Sequence, residues 1–479
     1  ATYQRNLWGK HMSDIEFREG EYGEKVLAVE PGGVEAIPEA DRHGKPWNLF
    51  AVWTSPNLEF ATIYVGALGV FFGLSFTQAV LGAILGNALG ALGSYFLTQD
   101  GPKYGVPQMV VSRSAFGKVG NILPSIANAG AAGIGWFAVN SVSGAFALAT
   151  LTHWSNLVCL SIVAIVQVAI AFIGHNLVQT VEKYLMPYLI VVFGVSAIIV
   201  FTKPSVASPE SWHLPGAFFL YVGAVYGYSA GWNPFSSDYS RYMPSNTDTK
   251  AAGRFAALGL LVAPSILEIV GIAAVNAGMH SYGANSNPVG DFTNFLPGWL
   301  GKLVLLGIVI GSICANVLNV YSGSMSFLAM GIKLKSHHLR AVTAIVFGIG
   351  GFALAHWAMG NPANNLENFL LVMSYWIGPW LGVIAADKLI RRGRSVKHLL
   401  FVSRENFAGP LAFVVSVTVS MYYFSNQTWY TGAYVKTHPH IGDIGFAVGF
   451  VVAFVIYYLL FPVGARHERA SQAAVEAQQ

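Results

Sequence analysis

The chain has 479 residues, 54% of them hydrophobic and 10% charged, with a formal net charge of +4. A soluble domain carries about 25% charged residues; here apolar runs long enough to cross a bilayer recur from Trp47 to Val463, which excludes a soluble globular domain and points to a polytopic helical membrane protein. Sparse charge and weak two-residue alternation exclude an outer-membrane barrel, and Cys159 and Cys314, each inside an apolar run, offer no disulfide framework.

Residues 1–46 are polar and rich in acidic residues, so they read as a cytoplasmic N-terminal arm without a cleavable signal peptide. The "GKHM" before Ser13 looks like a cloning remnant, so residues 1–11 are expected to be tag-derived. Hydropathy then predicts twelve spans, at 47–74, 76–98, 121–150, 155–175, 181–202, 215–240, 252–279, 300–331, 337–359, 364–387, 408–426 and 443–465. They fall into a first five-helix set (47–202), a second (215–387) and two additional helices (408–465), followed by a short tail, 466–479. With the N-terminus inside, all but Lys203, Lys302 and Lys436 of the 27 Lys and Arg residues lie on the cytoplasmic side. The positive-inside rule therefore supports twelve spans with both termini cytoplasmic.

Span 1 contains "WTSPNLEF" and span 6 contains "SAGWNPFSSDYSRY". Each is interrupted by proline beside polar residues, and each opens one of the two five-helix sets. Broken helices at matching places in two halves point to an inverted-repeat transporter with a midplane site. An odd number of spans per set makes the halves opposite in topology. Freed backbone is tolerated at membrane depth only where protein or a cavity satisfies it, so breaks are expected near Ser55–Asn57 and Gly231–Pro234.

Span 3 reads "AGIGWFAVNSVSG", which places Trp136 and Asn140 four apart on one helix face. Span 8 reads "GSICANVLNVYSGS", with Asn316 and Asn319 three apart on one face. Amides in spanning helices also serve as interhelical glue, and tryptophans usually mark the interface belt, but Trp136 and Trp232 both lie deep. Indole faces stack flat rings, and Asn and Glu read the donors and acceptors of a ring edge. The combination selects a small, flat, neutral or weakly charged ring.

Four carboxylates lie at depth, and an intramembrane carboxylate is a functional candidate by default. Glu59, one turn beyond the break in span 1, is the best placed. Asp238 can pair with Arg241, Glu182 with Lys183, and Glu268 can be either a buried hydrogen-bonding group or a functional one. No metal-ligand spacing, Ser/His/Asp set or phosphate loop is present, so no enzyme and no cofactor is expected; "GNALGALG" in span 2 reads as helix packing.

The stretches "VEPGGVEAIPEADRHG", "QDGPKYGVPQMVVSRSAFG", "GIGWFAVNSVSG", "GYSAGWNPFSSDYSRYMP" and "NVLNVYSG" resemble the purine–cytosine permease branch of nucleobase–cation symporter family 1. The likeness runs from the arm through span 10. It implies an all-α integral membrane protein with a LeuT-like five-plus-five inverted repeat plus two extra helices, working by alternating access. It makes Trp136 and Trp232 ring-stacking residues, Asn140, Asn316 and Asn319 edge-reading amides, and Ser55 and Glu59 contributors from the span-1 break. In sodium-coupled relatives a cation sits between that break and span 8. Here Ser55, Leu58 and Ser312 are the corresponding candidates, but Cys314 and Ala315 stand where a second hydroxyl is expected. A coupled proton on Glu59 is the alternative to sodium.

The expected function is a cation-coupled symporter that imports a nucleobase such as cytosine or a purine. Another planar heterocycle (a hydantoin, allantoin or a pyridoxine-like vitamin) and an uncoupled facilitator or channel are the alternatives. The expected partners are the ring, the coupling cation and the bilayer of the cell's inner (plasma) membrane, with no nucleic acid and the protein a monomer.

Overall fold

The computed structural model describes residues 33–173, 175–207, 212–332, 336–401 and 404–466. Residues 1–32 of the arm, including the start expected to be tag-derived, most of the tail and the side chains of Glu182 and Lys183 lie outside the described residues. Apart from two isolated bridges, Gly117 to Glu405 and Asn426 to Thr431, the described regular structure is helical. A helix, or a set of consecutive helices, falls on each predicted span, and eight helices are long and apolar enough to cross a membrane.

Both predicted breaks are present, and they differ in kind. Span 1 is two helices, Asn48–Thr54 and Phe60–Phe71, joined by the tight turn Ser55–Asn57. Leu58 (φ −82°, ψ 66°) and Glu59 (φ −143°, ψ 167°) then leave the helical region altogether. Pro56 has no N–H to donate, and the extended Glu59 stands at the N-cap of the second helix. Span 6 runs Ala217–Ala230, tightens through Asn233–Phe235 and resumes at Ser236–Ser240. Gly231 (φ −53°, ψ −25°) and Trp232 (φ −82°, ψ −14°) stay right-handed, so this break is a tightened bend rather than an extended gap.

The helices sort into two interlocked groups. Spans 1, 2, 6 and 7 pack together, and spans 3, 4, 8 and 9 pack together, so each group takes equivalent members from both five-helix sets. Span 10 (Pro362–Arg391) packs on span 6 and carries the added spans 11 and 12, Ala408–Phe424 and Gly445–Gly464. Small residues allow the close approach that dispersion-driven packing in lipid requires. A Cβ on Gly86 would meet Val225 Cγ1 at 2.6 Å, and one on Gly90 would meet Ser229 Oγ at 2.5 Å. The glycines of "GNALGALG" are thus the seam between spans 2 and 6.

Several deep carboxylates serve this scaffold. Glu268 is fully buried on span 7 and accepts from Asn87 Nδ2 of span 2 at 2.6 Å. Asp238 Oδ1 accepts from the backbone N–H of Gln108 at 2.8 Å, while Gln108 Oε1 accepts from Ser237 N at 3.2 Å. The end of span 6 is thereby fastened to the loop before span 3. The arm is stitched to the same end of the bundle: Ile37 N donates to Gly105 O (3.0 Å), His43 N to Tyr242 O (2.6 Å) and Arg241 Nη1 to Gly33 O (3.0 Å).

Candidate substrate site

The two breaks meet span 3 at its own irregularity. Span 3 begins as Ile122–Gly130, widens into one stretch of π-helix, Ala131–Trp136, and continues as Phe137–Thr152. π-Bulges concentrate at functional sites; the inserted residue rotates the next turn of helix relative to the last. Phe347 of span 9 presses on Gly133 and Phe369 of span 10 on Gly135, so only residues without a Cβ fit there. Trp136 emerges at the end of the bulge.

Trp136 and Trp232 face each other with ring centroids 6.4 Å apart and planes 9° from parallel. Each is held edge-on by neighbours. Phe369 and Tyr228 make T-shaped contacts with Trp136 at 4.9 and 5.6 Å, and Phe235 and Trp53 do so with Trp232 at 5.3 and 5.7 Å. Such contacts contribute about 0.5–1.5 kcal/mol each beyond buried area. A Cβ on Gly231 would come within 2.7 Å of Trp136 Cζ2, so the glycine of the span-6 break lets the indole lie against the backbone.

Asn57, from the other break, is fully buried and ties the two together. Its Oδ1 accepts from Trp232 Nε1 at 3.0 Å, and its Nδ2 donates to Trp53 O at 2.6 Å. Thr62 Oγ1 reaches back to Asn57 O at 2.7 Å and also bonds Tyr228 Oη. Sequence reading places Asn57 in the break but gives it no role.

One helical turn beyond Trp136 is a polar cluster of Glu59, Asn140, Asn316 and Asn319, each at most 5% exposed. The neighbours set the Asn140 amide. With Nδ2 toward Glu59 it donates to the carboxylate (2.6 Å to Oε2, 3.0 Å to Oε1) and its Oδ1 accepts from Asn319 Nδ2 (3.0 Å), although that oxygen then lies 3.1 Å from Asn316 Oδ1, which in the opposite orientation would accept from Asn140 Nδ2. Turned the other way, the amide oxygen would face both carboxylate oxygens. Asn319 Nδ2 also reaches Asn316 Oδ1 at 3.3 Å, and Asn316 Nδ2 donates to Phe137 O (3.0 Å) and Ser141 Oγ (3.1 Å). The predicted residues Trp136, Asn140, Trp232, Asn316, Asn319 and Glu59 are therefore one constellation.

The cation candidates are less gathered. Ser55 is half-buried in the span-1 turn, and its carbonyl accepts from Leu58 N at 3.1 Å. Ser312 Oγ donates to Val309 O at 2.9 Å, and the side chain lies against Gly144 of span 3. Its backbone oxygen accepts from Gln167 of span 4. Ser312 therefore faces spans 3 and 4, and the contacts described for it include neither Ser55 nor Leu58.

Next to the tryptophan pair is a cavity of about 290 Å³ between the second helix of span 1, the C-terminal half of span 3 and the facing ends of spans 9 and 10. Phe60, Val142, Phe146, Trp357 and Phe369 contribute to a largely apolar wall, on which Tyr64, Ser143 and Asn365 are the polar members. Phe369 is shared between this wall and the edge of Trp136.

A family model described as a permease for cytosine/purines, uracil, thiamine and allantoin matches residues 36–449. The chain is 29% identical over 453 residues to the Bacillus subtilis (strain 168) protein YxlA, provisionally a purine-cytosine permease, covering 91% of this chain and 96% of that one. It is 27% identical over 474 residues to the purine-cytosine permease fcyB of Emericella nidulans, covering 91% and 89%. Among solved structures it is similar to Mhp1, a nucleobase-cation-symport-1 family transporter seen closed with bromovinylhydantoin bound. That likeness has a TM-score of 0.71 at 18% identity, over 92% of this chain and 97% of Mhp1. The shared architecture carries the LeuT-like fold, and the sequence match carries the kinship: this chain is a membrane-embedded transporter of the family of permeases for cytosine and purines, uracil, thiamine and allantoin.

Proposed function

We propose that the protein is a secondary symporter that imports a nucleobase together with a cation by alternating access. The observation that carries this reading is the parallel indole pair with the amide and carboxylate cluster one helical turn away. A flat ring in van der Waals contact with two faces needs them about 7 Å apart, twice a contact of about 3.5 Å. The 6.4 Å between Trp136 and Trp232 approaches that spacing. An offset stack with nothing between its members spans about 4.5–7 Å as well, so binding separates the two arrangements.

In this reading Trp136 and Trp232 hold the ring faces, while Asn140, Asn316, Asn319 and Glu59 read its edge. Ser55 and Leu58 offer break carbonyls to the coupling cation, with Ser312 set further back. Both termini are cytoplasmic and the protein works as a monomer in the plasma membrane, so the apolar cavity lies in the outer half and is the entry route. The names of the relatives support a nucleobase over other planar rings.

The test is uptake into proteoliposomes with a sodium or a proton gradient imposed separately. Accumulation above the external concentration, driven by one gradient and abolished by its collapse, supports symport and identifies the ion. Uptake that only equilibrates, indifferent to both gradients, makes the protein a facilitator. Failure of every nucleobase to compete, while a hydantoin or vitamin does, replaces the substrate.

A further inference from the structure

We infer that the loop between the two added helices gates the apolar cavity, with Trp429 closing the cavity mouth against Trp357 of span 9. The inference rests on the reading of that cavity as the ring's way in and deepens it to the residues that control passage.

The five-helix sets do not wall the cavity alone, because Trp429 reaches it from the loop after span 11. Exposure locates the mouth. Trp357 is 53% exposed and Trp429 63%, whereas Phe60 and Phe146 of the same wall are 1% exposed. The two indoles meet edge to face, with ring centroids 6.1 Å apart and planes at 69°. Trp357 stands at the end of span 9, the penultimate residue of Ser336–Ala358.

The loop holds its indole on a tight turn. Gly432 N donates to Ser425 O at 2.7 Å and Gln427 N to Tyr430 O at 3.0 Å, which leaves Thr428 and Trp429 as the tip. Tyr430 Oη donates to Tyr422 O at 3.0 Å and ties the returning limb to span 11. Thr428 fastens the tip to span 10. Asn368 Nδ2 donates to Thr428 Oγ1 at 2.6 Å, Thr428 N donates to Asn368 Oδ1 at 3.1 Å, and Gln427 Nε2 donates to Asn368 O at 3.2 Å. Asn368 is fully buried, so undoing this clamp would strand polar groups away from water. The next residue is Phe369, which lies edge-on to Trp136.

Trp429 therefore goes where the outer end of span 10 goes, while Trp357 belongs to the group of spans 3, 4, 8 and 9. Alternating access moves one group of helices against another around a fixed site. The indole contact crosses the line along which spans 9 and 10 must part to admit a ring. Tryptophans at this level also serve as interfacial anchors, but an anchor needs neither a clamp to span 10 nor a place in the cavity wall.

The experiment is the association rate and the chase rate of radiolabelled cytosine or adenine, whichever the native chain binds, on full-length protein in lipid nanodiscs. Trp429→Ala should raise both rates together by about 2- to 10-fold, the worth of one edge-on aromatic contact, and leave the dissociation constant within about twofold. Thr428→Val, which removes an acceptor of the clamp outside the cavity wall, should accelerate both rates in the same sense. Unchanged rates in either variant overturn the inference, and so does a Trp429→Ala effect confined to dissociation, which would make the indole a ring contact. A second measurement joins Trp357→Cys to Trp429→Cys with a bifunctional thiol reagent carrying a reducible link; Cys159 and Cys314 are buried, and the native chain treated alike is the control. Bridging should stop exchange of the base, and reduction should restore it. If bases bind and depend on Trp232 but exchange through the bridged mouth at the native rate, only the gate fails. If no nucleobase binds the native chain, the nucleobase reading fails and takes this inference with it.

Discussion

Replacing each stacking tryptophan by phenylalanine should have unequal consequences, although the sequence alone treats the two positions alike. Phenylalanine keeps an aromatic face at either site, so most of the stacking, about 1–3 kcal/mol per ring by analogy with base–aromatic stacking, survives in both variants. At Trp232 the substitution also deletes the N–H that Asn57 Oδ1 accepts at 3.0 Å. Asn57 is fully buried, so its oxygen is left without a partner at a cost of about 1–3 kcal/mol. Trp232→Phe should therefore lower unfolding stability or ring affinity by about 1–3 kcal/mol more than Trp136→Phe. Thermal unfolding and calorimetric binding of one nucleobase, measured on both variants in the same detergent, give the comparison. Adding Asn57→Leu to each completes a double-mutant cycle. The coupling should exceed about 0.5 kcal/mol with Trp232 and fall within error with Trp136. Equal losses from the two phenylalanine variants, with no coupling to Asn57, would refute the proposed tie between the breaks.

Asn319→Ala removes the amide that bridges Asn140 and Asn316, and should weaken ring binding by about 1–3 kcal/mol while flattening discrimination among rings. Loss of folded protein with unchanged selectivity would make the amides interhelical glue. Phe369→Ala removes an edge contact on Trp136 worth about 0.5–1.5 kcal/mol. Substrate should then dissociate several-fold faster in a filter-binding chase, with little change in its order of preference among rings. At the end of the bundle where the arm docks, the Ser245 backbone N–H on Glu39 Oε1, helped by the Ser245 hydroxyl and Arg42, holds this carboxyl below its ordinary 4.5. A lowered folded value means the tether is present above the ordinary carboxylate range and is lost as pH falls through the folded value. The Ser245 amide resonance should therefore shift as pH falls below the ordinary carboxylate range, while the backbone bonds of Ile37 and His43 keep the arm docked. A Ser245 amide shift that is flat down to the acid limit, or unchanged in Glu39→Gln, would count against that tether.

The helical membrane fold and the positions of both breaks are legible in the sequence because lipid tolerates proline and asparagine inside an apolar run only where the freed groups find partners. Trp136 and Asn140 are legible from one helical spacing, as are Asn316 and Asn319. What escapes depends on partners far away in the chain. The π-bulge before Trp136 is shaped by Phe347 and Phe369, from helices that the local "AAGIGW" does not announce. The Asn57–Trp232 bond joins residues 175 apart. Ser312 is a cation candidate by sequence, but span 8 is buried on most of its circumference, so its pattern gives no polar face from which to read where a serine points.

The wall of the cavity beside the tryptophans includes no Lys, Arg, His, Asp or Glu. Charged rims accelerate capture of charged ligands by focusing their field, and that acceleration falls steeply with ionic strength. As the proposed entry route, a cavity lined by phenyl, indole and aliphatic groups offers no such field. Encounter with a neutral ring should then be governed by diffusion and by shedding of its hydration shell, so the capture rate should be nearly flat from dilute buffer to molar potassium chloride. Capture of the ring would then set no ionic-strength limit of its own, and any dependence of uptake on external salt would report the coupling cation.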